Sequence, residues 1–456
     1  MTDSISMSNP QGLSERPHSM RWSYATKRAV FIKLAYAALI LAMYCGLAHA
    51  YTNLWQPLFA YTDFVQSYIP QREIEALLVL SMAALLIPAS YRRPSDVYMC
   101  IAVITALLPT AVMYVYGNTS ATTAYLTFAG LAIVYASRNV PVPIPNLGWI
   151  GPFDATLPVT ALAIGGALLA AYIMGFDDFS FALFDVYSRR HIASEKITDY
   201  AVYAVSLGLT ASSLAIILSL HTRNTITLII NLIVASLYFG LIGNKAPFMT
   251  LPIIIALNSA LRRNNIILYM LFITCAIIAV LAVLANDLSF WYTENGELNT
   301  TFSFASTFER RSLLLPVWVN DAYIKYFDTH DKLYWAYSRL SFGMVPQILP
   351  FDPPYTIGYF LDKNGMHANT GFVGTGYMNA GTFGVFLYAV LIGLCCRAID
   401  FYASLRGTKV LSTLICLPGF TSAITSSEVP TELITHGWIV AILLVALSPP
   451  QKEPSS

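Results

Sequence analysis

The sequence predicts an all-α, polytopic membrane protein of about twelve transmembrane helices, with one large outer segment of short helices. Three observations predict it. Of 456 residues, 56% are hydrophobic and only 11% are charged, less than half the roughly 25% usual in soluble domains, and the mean hydropathy is +0.59. No globular core hides that much apolar surface, so lipid is the solvent for most of the chain. Apolar runs of about 20 residues recur along it. Every short inner connection between those runs carries a cation, while the short outer ones are mixed or acidic, as the positive-inside rule requires. A soluble enzyme and a disordered chain are excluded. The balance of 26 basic and 25 acidic residues leaves no excess that would attract nucleic acid.

Residues 1–28 read as a cytoplasmic tail. The run Ala29–Ala50 is too long for a signal-peptide core and lacks a cleavage context, so it is a retained first span. It centres near Ile40. Further spans centre near Leu80, Thr105, Phe128, Ile164, Leu209, Ile233, Ile255 and Ile277, which places helices 1–9 within 29–286. The one near Ile255 is short, and only Gly243-Asn244-Lys245-Ala246-Pro247 divides it from its predecessor. Three more, near Val390, Thr413 and Leu443, fill 376–449, and 450–456 is a second cytoplasmic tail. Arg92 with Arg93, Arg138, Arg223, Arg262 with Arg263, and Arg397 with Arg406 and Lys409 mark the inner connections. Removing one span would put an arginine pair outside. The six cysteines all lie inside apolar runs at no metal-ligand spacing, which reads as buried, unreactive thiols. No internal repeat is evident, which weighs against a secondary transporter.

Two outer segments are long. The larger, 287–375, carries Trp291, Trp318, Tyr323, Tyr326, Tyr334, Trp335 and Tyr337. Connections longer than about 15 residues are functional or disordered, and this aromatic content excludes disorder. Within it, Ser306-x-x-Glu309 ahead of an apolar run reads as a capping box, with Arg310 and Arg311 in the first helical turn. Cations there oppose the helix dipole and need an anion. Guanidinium forks match phosphate oxygens; a headgroup or carboxylate contact is the plainer alternative. Glu309 is a cap on this reading, or a general base. Lys245, in its glycine–proline break, either snorkels to the interface or faces a polar cavity. From His367 to Gly384 glycines recur at 371, 374, 376, 381 and 384, which permits close packing. No Gly-Lys-Ser follows, so this is not a phosphate loop. Packing does not account for His367 and Asn369. A histidine there can accept a proton from a sugar hydroxyl or donate to a phosphate. Arg339, on an aromatic stretch, is a fourth candidate phosphate or sugar contact.

Phe308-Glu-Arg-Arg, the tyrosine-rich stretch to Ser338, the run from Asn369 to Gly384 and the Gly-Asn-Lys-Ala-Pro break resemble the O-antigen polymerases, the Wzy-type oligosaccharide repeat-unit polymerases of bacterial envelopes. Relatives more often carry Gly-Ser-Arg-Gly-Pro at the break; lysine keeps the charge and loses the bidentate fork. The motifs cover about 242–394, and the architecture most of the chain. The resemblance implies a GT-C-like fold in the bacterial inner membrane, with 287–375 as a periplasmic loop. It also implies a reaction. An acceptor sugar hydroxyl attacks the anomeric carbon of a donor chain, and undecaprenyl diphosphate leaves, with inversion and without a metal or cofactor. On that reading His367 is the general base, with Glu309 or Asp321 the second choice, and Arg310 stabilises the leaving diphosphate. Lys245, Arg311, Arg339, Asn369 and Tyr323 contact substrate. The implied partners are undecaprenyl-diphosphate-linked oligosaccharides, membrane lipids and a chain-length regulator. An O-antigen ligase, transferring glycan to lipid A core, shares the resemblance. A non-enzymatic flippase of lipid-linked oligosaccharides is the more distant rival.

Overall fold

The computed structural model describes residues 18–60, 64–147, 150, 152–176, 179, 181, 189, 192–193, 195–243, 254–263, 265–292, 298–338, 341, 343–363 and 366–450. Among these the chain is helical wherever it is regular, apart from an isolated antiparallel bridge between Tyr292 and Leu298. The helices are α1 His18–Ala50, α2 Gln56–Phe59, α3 Pro70–Leu86, α4 Pro94–Ala102, α5 Leu108–Tyr116, α6 Ala121–Ser137, α7 Thr156–Met174, α8 Asp199–Thr222, α9 Thr225–Ile242 and α10 Ile266–Leu284. Then come α11 Thr300–Ala305, α12 Leu315–Thr329, α13 Pro353–Phe360, α14 Phe372–Arg406, α15 Lys409–Thr425, α16 Val429–Ile434 and α17 Trp438–Leu447.

Local chemistry sets many of the ends. The Ser120 hydroxyl accepts from the Thr123 amide, and the Asn224 side chain accepts from Thr227, so each caps a helix N-terminus. Gly243 and Gly407 take left-handed φ values of 72° and 63° after α9 and α14, a conformation glycine adopts without penalty. Seven helical stretches are long and apolar enough to cross a bilayer, and the protein is membrane-embedded. All twelve predicted centres fall in helical residues, although α3, α6, α15 and α17 are shorter than the rest and 254–260 is shorter still.

Three stretches are π-helical: Tyr51–Trp55, Val103–Leu107 and Ser306–Leu314. Each ends two residues before a proline, namely Pro57, Pro109 and Pro316. A proline inside a helix offers no N–H, and its ring collides with the carbonyl four residues back. Widening the preceding turn relieves that collision while the helix continues. Thus α1 runs on into α2, α4 into α5, and α11 into α12. The third case makes a single helical rod over residues 300–329, and it packs against the π-turn of the α4–α5 span.

Helix α14 is broken near its start. Ala380 and Gly381 leave helical geometry, Gly381 at φ 62° and ψ −146°. The short arm before the break then folds against the long arm after it. A Cβ on Gly384 would lie 2.0 Å from the Gly376 carbonyl oxygen, so only glycine permits this approach. The sequence places the start of this span at 376; the helix begins at Phe372 and its long arm only after Gly381.

Two apolar cores result. α7, α8 and α9 share one, and the remaining helices share the other. α8 meets the larger body along α15. A buried ionic knot joins α4, α6 and α14. Asp96 accepts from Arg138 at 3.3 Å and Arg93 at 3.4 Å, and Asp400 accepts from Ser95 and lies 3.5 Å from Arg93.

Candidate functional site

The rod of 300–329 carries most of the predicted site. Its start corrects the capping-box reading. The Asn299 side chain accepts from the Phe302 amide at 2.9 Å and caps the rod. Ser306 and Glu309 therefore lie inside a helix, and Arg310 and Arg311 are not in a first turn, so the dipole gives them no special demand for an anion. Ser306 instead accepts from Arg310 Nε at 3.0 Å.

Glu309 is fully buried, and the Trp55 indole N–H donates to its Oε2 at 2.8 Å. Its Oε1 has no hydrogen-bond partner among the described residues. Burial pushes the carboxyl up to about 8, opposed only by the Trp55 bond. The neighbouring Arg310 guanidinium lies 4.3 Å over the Phe59 ring, a cation–π contact that holds a charge against an apolar wall. Phe302 stacks on Phe59 and tilts against Trp55, closing an aromatic cover over the pair. Arg311 is exposed. This arrangement combines a carboxyl able to exchange a proton near neutral pH with a fixed cation one residue away.

A second group gathers further along the rod. Asn320 Oδ1 accepts from Thr370 Oγ1 at 2.5 Å and from the Gly374 amide at 2.9 Å. The buried Tyr323 hydroxyl donates to the Ala368 carbonyl at 3.0 Å. These bonds tie down the chain that leads into α14 and leave His367 and Asn369 exposed on either side of Ala368. The His367 ring meets Tyr355 edge-on at 4.9 Å. Desolvation lowers its pKa, opposed by a hydrogen bond with Asn369 and by Asp352, so the imidazole is neutral at pH 7 and can accept a proton. Asp321 is fixed structurally: Ser120 and Thr123 donate to Oδ1 at 2.7–2.9 Å, and Lys325 pairs with Oδ2 at 2.7 Å. Beside it a pocket of about 220 Å³ opens between Trp318, Asp321, Lys325 and Phe360.

The structure thus sets Glu309 against Trp55 and Arg310 against the adjoining Phe59, and separately gathers His367, Asn369 and Tyr323. Arg310 and Tyr323 lie between three and four turns apart on one rod, about 20 Å at the usual helical rise. Tyr323, expected to contact substrate, is buried with its hydroxyl spent on Ala368. Lys245 and Arg339 lie outside the described residues.

Several residues of the site were not singled out from the sequence. Trp55 and Phe59 lie beyond the first apolar run, Ala29–Ala50, and stand in no motif. Glu428 accepts from Tyr388 and Asn379, both at 2.8 Å, and burial raises its pKa. Asn379 Oδ1 in turn accepts from the Trp335 amide. Tyr334 and Trp335 take left-handed φ values of 45° and 63°, and this anchoring by Asn379 holds them there. Phe351, Tyr355 and Tyr359 are exposed in the segment that precedes His367, and Tyr355 meets its ring.

No model of a known protein family matches the chain, and neither does any curated protein or solved structure.

Proposed function

We propose that the protein is a membrane glycosyltransferase that joins undecaprenyl-diphosphate-linked oligosaccharide repeat units, an O-antigen polymerase of the bacterial inner membrane. On this reading twelve spans form a GT-C-like frame, and the rod of 300–329 belongs to its periplasmic face. The observation that carries the proposal is a buried carboxyl at about 8 on Glu309, held by Trp55, with the guanidinium of the next residue, Arg310, over the adjoining Phe59 ring.

The chemistry follows from these groups. The acceptor hydroxyl forms a new bond to the anomeric carbon as the bond to the diphosphate oxygen breaks. Negative charge grows on the leaving diphosphate, and Arg310 with Arg311 stabilises it without reorganising. The hydroxyl proton needs a base within hydrogen-bond reach of the same carbon. The spacing along the rod favours Glu309 over His367 for that role, because Glu309 adjoins Arg310 and His367 does not. A carboxylate whose conjugate acid titrates near the working pH is a stronger base than an ordinary one. Reaction requires the aromatic cover of Trp55, Phe59 and Phe302 to part over Glu309. His367 and Asn369, with Tyr355 beside them, then hold the acceptor glycan away from the reacting carbon. Exposed aromatic faces suit sugar rings, and the imidazole and amide supply hydrogen bonds.

The test is reconstitution of the purified protein with lipid-linked repeat units, read as a ladder of lengthened glycans. Wild type yields a ladder; Arg310→Ala and Glu309→Gln, correctly inserted, do not. Transfer to lipid A core with no ladder would make the protein a ligase. A ladder undiminished in both variants would discard the site.

A further inference from the structure

A second charged feature lies far from the rod, on the long arm of α14. Arg397 lines a groove of about 290 Å³ between α14, α17 and the proline-rich turn at 142–145. The other walls are apolar: Ile144, Leu394, Ala398, Ile439 and Leu443. Ile439 and Leu443 are exposed on the membrane-facing surface of α17. Tyr402 donates to the Pro145 carbonyl at 2.9 Å and fixes the wall formed by the turn. The Arg397 Nε is buried, and the structure gives the side chain no hydrogen bond, ion pair or ring contact among the described residues. A guanidinium held in an apolar groove needs an anion.

Neighbouring helices fix its depth. Gly393, one turn before Arg397, touches Ser137 at the end of α6, and Asp400, one turn after, meets Ser95 at the start of α4. Arg397 therefore sits where adjacent helices end. It is also about 24 Å along α14 from Gly381 at the usual rise, most of the roughly 30 Å bilayer core. That is headgroup level on the bilayer face opposite the 300–329 rod.

We infer that this groove binds an anionic phospholipid of the bilayer, with its phosphate on Arg397 and one acyl chain along Leu394, Ala398, Ile439 and Leu443. Charge complementarity selects the occupant. One cation among apolar walls at headgroup depth matches one phosphate on an apolar chain. A peptide would bring backbone polar groups that these walls cannot satisfy. The inference is independent of the glycosyl-transfer reading.

Thermal unfolding of the purified full chain in neutral detergent tests it. Phosphatidylglycerol should raise the midpoint of wild type; phosphatidylcholine with the same chains and inorganic phosphate should not. Arg397→Gln should weaken the phosphatidylglycerol response about tenfold in apparent affinity, the value of one charge-assisted contact. Arg397→Lys should keep most of it. Ala398→Phe, which leaves the charge and fills the groove, should abolish it. An equal response of wild type and Arg397→Gln overturns the inference, as does equal stabilisation by phosphatidylcholine. Stabilisation by inorganic phosphate alone, or a full response in Ala398→Phe, removes the lipid chain from it.

Discussion

Two buried acidic centres of this protein are built on opposite rules. In the knot between α4, α6 and α14, all four carboxylate oxygens of Asp96 and Asp400 have partners: two arginines, the Ser95 hydroxyl and three backbone amides. At the rod, Glu309 has one neutral indole donor and one oxygen without a partner among the described residues. A network in which every carboxylate oxygen has a donor holds helices together and resists change. A carboxyl left partly unsatisfied keeps a proton it can give up and an oxygen it can use. Burial is common to both centres; the count of donors is what differs.

The strongest way to break this comparison is to remove the rod charges. Arg310→Ala should lower glycan transfer about 10²- to 10³-fold, the cost of losing one preorganised donor to developing charge, and Glu309→Gln at least as much, with thermal stability kept in both. Asp400→Asn should do the reverse. It strands charge in the knot and costs about 3 kcal/mol of stability, seen as a lower unfolding midpoint, with transfer per folded molecule near wild type. His367→Ala should raise the acceptor KM about tenfold with kcat little changed, the signature of uniform binding. A fall in kcat alone would return His367 to the reacting centre.

The remaining tests use pH. Because Glu309 titrates near 8 in the folded chain and near 4.5 unfolded, the folded state binds the extra proton. Its contribution to stability is full below about 4.5 and is lost as pH rises towards about 8. The wild-type midpoint should therefore fall over that window by more than that of Glu309→Gln. Transfer should rise over the same window. Trp55→Phe deletes the one bond that favours the carboxylate, so it should shift the acid limb of the rate profile to higher pH.

Much of the helical frame was legible in the sequence because apolar run length is a local signal. The arginine pair was legible as a cluster of charge on an outer segment. Its setting was not. Ser306-x-x-Glu309 has the letters of a capping box, but Asn299 had already started the helix seven residues earlier. Glu309 answers to Trp55, 254 positions away in the chain, and no local rule reports such a pair. The grouping of Tyr323 with Ala368 is hidden for the same reason. The π-turns were open to view in principle. Pro57, Pro109 and Pro316 each interrupt an apolar helical pattern, and the rule that proline ends a helix conceals the case where the turn widens instead.

That widening has an evolutionary side. A π-turn is an α-turn with a residue inserted, so the stretch Ser306–Leu314 behaves as an insertion that the helix has absorbed without a loop. Deleting one residue between Arg310 and Leu314 would take up the extra turn and bring the Pro316 ring back against the carbonyl four residues before it. It would also rotate Glu309 by about 100° relative to α12, so that the Trp55 bond and the packing of α12 could not both be kept. In this rod the spare residue is what aims the acid.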